Sequence, residues 1–83
     1  MTHDDILYEI YTRMDTARRR YGPFASTHEA LGVAVEEWDE LRAAIQSNNL
    51  MDVSDECIDL AAVLVRLAQA CRKGGEFAER SGK

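Results

Sequence analysis

The sequence predicts an all-α fold. It has three main helices and a short C-terminal turn of helix, and it assembles with further copies as an oligomeric helical bundle. Three observations predict this. Apolar residues recur at helical spacing in three windows. The breaks between the windows carry Gly, Pro, Ser and Asn, which stop or cap helices. The last window is apolar almost all round, which one small chain covers poorly.

The first helix is predicted over residues 3–20. Ile6, Leu7, Ile10, Tyr11, Met14, Ala17 and Tyr21 share one side, and charges take the other. "YGPFAS" ends it, because Gly22 and Pro23 do not readily continue a helix. Ser26 opens the second helix. "STHE" is a capping-box pattern, with Ser26 as N-cap and Glu29 reaching back from the third position. Leu31, Ala34, Val35, Trp38, Leu41 and Ile45 then form an apolar stripe. "SNN" at 47–49 closes the helix, and Asn49 with Asp52 caps the next.

The third helix is predicted over residues 50–73, with Gly74 and Gly75 as its stop. Between Cys57 and Cys71 nearly every side is apolar. Two partner helices leave part of that circumference bare, so a second subunit is expected to cover it. A short turn of helix is predicted within residues 76–83.

Eighty-three residues make a single domain, residues 1–83. A chain this short buries a limited share of its surface and gains from self-association. The apolar share of 46% argues against disorder. A net charge of −5 argues against a nucleic-acid polymer as partner, since phosphates call for a basic surface. No run approaches about 18 apolar residues, so no membrane span is expected. "MTHDDILYEI" lacks the basic-then-apolar order of a signal peptide. The expected location is cytoplasmic.

Cys57 and Cys71 fit that location. On one helix their spacing corresponds to about 21 Å, beyond disulfide reach. Without CxxC spacing or a neighbouring His they do not suggest zinc. They are expected to be buried as small apolar residues.

The chemistry lies in the acids. "VEEWDELRAAI" gathers Glu36, Glu37, Asp39 and Glu40 around one Trp. Glu37 and Glu40 stand about 60° apart on the second helix, bordering its apolar stripe. Glu56 and Asp59 repeat that spacing on the third. If the two helices pack antiparallel, the pairs lie at matching levels and four carboxylates converge. Such a group persists when protonated, solvated or shared with a cation. All-oxygen ligands favour Mg²⁺, Mn²⁺ or Ca²⁺ over zinc or copper. The bland alternative is a solvated face on each helix.

"EEWDE", followed after residues 41–55 by "ECID", resembles the EExxE…ExxD signature of the MazG-like, all-α nucleoside triphosphate pyrophosphohydrolases. "RYGPFASTHEALGVAVEEWDEL" is also similar to small proteins of that family, and the resemblance covers about residues 18 to 72. It implies a Mg²⁺ site, with Mn²⁺ as substitute, made by Glu37, Glu40, Glu56 and Asp59. It implies that Glu36 supports a further metal ion or the attacking water, so that Glu36 and Glu37 are the catalytic pair. The implied reaction cleaves a nucleoside triphosphate between its α- and β-phosphates, leaving a monophosphate and pyrophosphate. The family's basic residues around the substrate phosphates do not map one to one onto this chain, and its final helix is at most vestigial here.

Candidate substrate contacts are Arg18, Arg20, Tyr21, Phe24, His28 and Arg66. Arg18, Arg19 and Arg20 otherwise complement the C-terminal end of the first helix. Arg66 either pairs with acids of the second helix or meets a phosphate. Tyr21, Phe24 and His28 flank the GP turn, where they either line a base pocket or pack at the cap. Trp38 points into the apolar stripe, as a core residue or as a stacking platform. Two rivals share these features. One is a catalytically inactive helical assembly or interaction protein that keeps the acids without turnover. The other is an enzyme similar to phosphoribosyl-ATP pyrophosphatase, which acts on one defined metabolite.

Overall fold

The computed structural model describes residues 2–73 and 77. They form three helices: α1 (His3–Tyr21), α2 (Thr27–Ser47) and α3 (Leu50–Arg72). The turn of helix expected within residues 76–83 lies outside the described residues, apart from Phe77. That side chain is half-buried against the core.

Local chemistry accounts for each boundary. Thr2 caps α1 reciprocally with Asp5: Thr2 Oγ1 accepts from the Asp5 N–H at 3.3 Å, and Asp5 Oδ2 accepts from the Thr2 N–H at 3.1 Å. Gly22 ends α1, its N–H donating to the Arg18 carbonyl at 2.8 Å. Its φ of 75° is one that side-chain-bearing residues rarely adopt, so glycine is required there. Ser26 Oγ accepts from the Glu29 N–H at 3.1 Å, as the capping pattern predicts. The return bond differs: Glu29 Oε1 takes the Ala25 N–H at 2.6 Å in place of that of Ser26. Asn48 closes α2 in the left-handed conformation, and Asn49 Oδ1 accepts from the Asp52 N–H at 3.1 Å to start α3. This two-residue turn sends α3 back along α2.

α3 is the central helix. α1 and α2 both pack on it and do not pack on each other. The structure extends 45 × 26 × 20 Å, and its shortest dimension is about two helix diameters. So thin a body buries little: Met14, Phe24, Ala30, Leu41, Ala44, Ile58, Ala62 and Val63. Phe24, Ala30 and Val63 form one cluster, with Val33, Ala34 and Leu67 packed around it.

Three expectations about burial are corrected. Cys57 and Cys71 are exposed, because both lie on the flank of α3 that neither neighbour covers. Trp38 is 51% exposed and not in the core of the single chain. The stripe on α2 is two stripes: Ala30, Leu41 and Ala44 face α3, while Leu31, Val35, Trp38 and Ile45 face outward at 49–59% exposure. Bare apolar side chains remain on all three helices: Tyr8, Tyr11 and Tyr21 on α1, this outward stripe on α2, and Leu50, Met51 and Leu64 on α3. Among the described residues, no helix is long and apolar enough to cross a membrane.

Candidate functional site

Because α1 and α2 stand apart, a groove of about 730 Å³ opens between them, floored by α3. Glu36 and Glu37 line it from α2, Asp59 and Arg66 from α3, Arg13 from α1, and Phe24 from the intervening turn. Antiparallel packing of α2 and α3 brings the two acidic pairs to one level. Glu37, Glu56 and Asp59 each offer a carboxylate oxygen, and these oxygens lie within 4.8 Å of one another.

Two of the oxygens are in a costly position. Glu37 Oε1 and Glu56 Oε1 are buried and have no hydrogen-bond partner. A buried acceptor without a donor is destabilising. Burial therefore pushes the Glu37 carboxyl up to about 7, helped by the charges of Glu40, Asp59, Glu56 and Glu36. Glu56 is pushed up as well, first by burial and then by Glu40 and Asp59, with Glu40 in hydrogen-bonding reach. Glu40 itself is exposed and stands outside the set within 4.8 Å. Glu36 is exposed at the groove wall. Asp39 turns away and pairs with Arg42 at 3.4 Å.

Sequence reasoning missed Arg13. Its Nη1 donates to Asp59 Oδ1 at 2.7 Å and to the Asp55 carbonyl at 3.0 Å. Its Nη2 reaches Asp55 Oδ1 at 3.3 Å and Glu9 Oε1 at 3.4 Å. One guanidinium from α1 thus clasps two acids of α3 beside the carboxylate group. Its charged form is favoured chiefly by the bond to Asp59, against a smaller opposing effect of burial. The only local signal was Glu9 four residues earlier; the partners on α3 follow from packing alone.

The candidate substrate residues divide. Phe24 is buried and lines the groove, and Tyr21 lines it while largely exposed. Arg66 pairs with no acid of α2 at salt-bridge distance. Instead Nη2 donates to the Gly22 carbonyl at 2.9 Å, and the guanidinium lies 4.2 Å from the centre of the Phe24 ring. Arg18 is exposed and lies outside this groove. Arg20 rests on the Tyr21 ring at 5.8 Å. His28 is exposed and does not line the groove.

Comparison with protein-family models, curated proteins and solved structures finds no significant match. Among the described residues the geometry is that of three helices, with carboxylates of two of them gathered at the wall of an open groove.

Proposed function

We propose that the chain is a MazG-like, Mg²⁺-dependent nucleotide pyrophosphohydrolase that converts nucleoside triphosphates to monophosphate and pyrophosphate. One observation carries the reading. Oxygens of Glu37, Glu56 and Asp59 meet within 4.8 Å, and those of Glu37 and Glu56 are buried without a donor. A hard cation relieves both defects at once, since it neutralises the repulsion and engages the bare oxygens. The donor set is all oxygen, which fits Mg²⁺ or Mn²⁺.

Glu37, Glu56 and Asp59 would hold the ion, with Glu40 closing the set from the next turn of α2. Bound there, Mg²⁺ would supply charge neutralisation and polarise phosphoryl oxygens. The chain's own groups do the rest. Glu36, at the groove wall, is placed to orient a water and accept its proton. Phe24 and Tyr21 offer apolar surface to a base or sugar. Arg66, held by the Gly22 carbonyl, faces an anionic group entering the groove. The outward stripe of Leu31, Val35, Trp38 and Ile45 is covered by a second copy, giving a homodimer or a dimer of dimers.

The test is release of pyrophosphate from a panel of canonical and modified nucleotides, with Mg²⁺ and with chelator. Metal-dependent release from nucleoside triphosphates is expected. Release from phosphoribosyl-ATP alone would move the reading to that enzyme class. Metal binding without release from any nucleotide would favour the inactive assembly protein, a reading that the bare apolar stripe also supports.

A further inference from the structure

A second pocket, of about 280 Å³, adjoins the groove at Phe24 and Arg66 and has no carboxylate in its lining. Arg18, Arg66, Gln69 and Lys73 line it, with Phe24 as its apolar wall. The chain carries a net charge of −5, yet this corner gathers cations from α1 and α3. Among the described residues, Arg18 has no hydrogen bond or ion pair, and Arg66 has no carboxylate partner at salt-bridge distance. Burial is the main cost to the charge of Arg66, and repulsion from the Arg18 guanidinium adds to it.

Arg66 is nevertheless fixed. The Gly22 carbonyl and the Phe24 ring hold its plane from two directions. A guanidinium immobilised beside a second one, with donors to spare, matches the fork geometry that takes two oxygens of one tetrahedral anion. Glu29 contributes some favourable field at Arg66 but does not reach salt-bridge distance.

We propose that the pocket between Arg18 and Arg66 is an anion site for a phosphate-type dianion, one that works without metal. Arg66 is its rigid half and Arg18 its adaptable half, with Gln69 able to donate an amide N–H at the rim. Arg66 and Phe24 border both spaces, but the inference is separate from the cation site, since none of Glu36, Glu37, Glu56 and Asp59 lines this pocket. The dianion is either a free inorganic anion or the phosphate tail of a larger molecule, and both present the same oxygens.

The experiment is a ¹H–¹⁵N NMR titration of the full chain in chelator at fixed ionic strength. Inorganic phosphate, pyrophosphate, a nucleoside triphosphate and sodium chloride are added in separate arms. Saturable shifts at the Arg66 Nε–Hε and Gln69 amide resonances are expected with pyrophosphate and not with chloride. Arg18→Gln, at an exposed position, is expected to fold as the parent does and to weaken binding at least tenfold. Arg66→Lys keeps the charge, loses the fork, and is expected to weaken it too. Saturation by inorganic anions alone identifies a free anion as the occupant. Tighter saturation by the nucleotide, also lost in Arg18→Gln, identifies a phosphate tail. Shifts matched by chloride, or undiminished affinity in Arg18→Gln, would overturn the proposal. Because chelator is present throughout, that result leaves the metal reading untouched, and loss of the metal reading leaves this site standing.

Discussion

Arg13 Nη1 and Asp59 Oδ1 meet at 2.7 Å across the α1–α3 contact, so the acid proposed as a cation ligand already holds an internal cation. The pair does two things with opposite consequences. It clips α1 to α3, and it places a positive charge where a divalent ion would be repelled. Arg13→Gln is expected to melt below the parent in chelator. The loss is about 1 kcal/mol, because the pair is partly exposed and screened. The same change is expected to move the Mn²⁺ titration midpoint several-fold lower and to enlarge the metal-induced rise in melting temperature. Arg13→Lys keeps the charge and is expected to stay near the parent's midpoint. A merely structural lesion weakens fold and metal site together. An unchanged or higher midpoint for Arg13→Gln would therefore show that Arg13 does not oppose the cation.

Glu37 gives the fold a pH dependence of definite sign. Its carboxyl is pushed up to about 7 in the folded chain, from an ordinary value of 4.5. Between those values the folded state holds a proton that the unfolded state has released. Stability from this group therefore falls as pH rises through that window, and the penalty is complete above about 7. Glu37→Gln keeps the shape and removes the charge. In chelator, its melting temperature is expected to match the parent's near pH 4.5 and to exceed it progressively up to pH 8. A constant difference across the range would place Glu37 in water.

The element boundaries were legible because each has a short-range cause: Gly22, the Ser26–Glu29 pair, and Asn49 with Asp52. The level of the acids was legible too, since helix spacing and one short turn place Glu37 opposite Glu56 and Asp59. Which apolar face turns inward was not. Period 3.6 says that Leu31, Val35 and Trp38 lie together, but not that Ala30, Leu41 and Ala44 would be the residues against α3. Ala30 and Ala44 let the two helices approach closely, and Leu41 fills the space between them. Arg13 was illegible for a related reason. Its partners are 42 and 46 residues away, and only the packing of α1 on α3 selects them.

The acid group predicts a coupled loss of turnover and of metal response. Glu37→Gln, Glu56→Gln and Asp59→Asn are each expected to abolish pyrophosphate release with helix content unchanged. Glu40→Gln is expected to follow them, while Asp39→Asn, paired with Arg42 on another side, is expected to be mild. A cation that binds only the folded state adds about 2.7 kcal/mol at a hundredfold excess over its dissociation constant. In a domain this small each kcal/mol is roughly 4–8 °C. Millimolar Mg²⁺ is thus expected to raise the parent's melting temperature by several degrees at matched ionic strength. Glu56→Gln is expected to melt at or above the parent in chelator and to lose most of that response. A parent with no metal-specific shift would remove the cation site and the enzyme reading together.

The outward stripe of α2 predicts the assembly, and Trp38 reports on it. Leu31, Val35, Trp38 and Ile45 lie on one side at about half exposure, in a body too thin to offer them cover. Contiguous apolar surface of this kind is characteristic of an interface. A second copy brings an identical stripe, so a two-fold axis across α2 sets Trp38 near its own counterpart. Trp38 is the only tryptophan in the chain, and its fluorescence is therefore a direct readout of that contact. Emission is expected to be blue-shifted at high protein concentration and to move red on dilution, with the same midpoint as the change in mass by light scattering. Trp38→Glu replaces a residue already half in water, so the single chain tolerates it, while two facing carboxylates oppose the pairing. That variant is expected to keep its helix content and to remain monomeric at concentrations where the parent is associated. A parent that scatters as a monomer at high micromolar concentration, with Trp38 emitting as in water, would leave the stripe to some other partner.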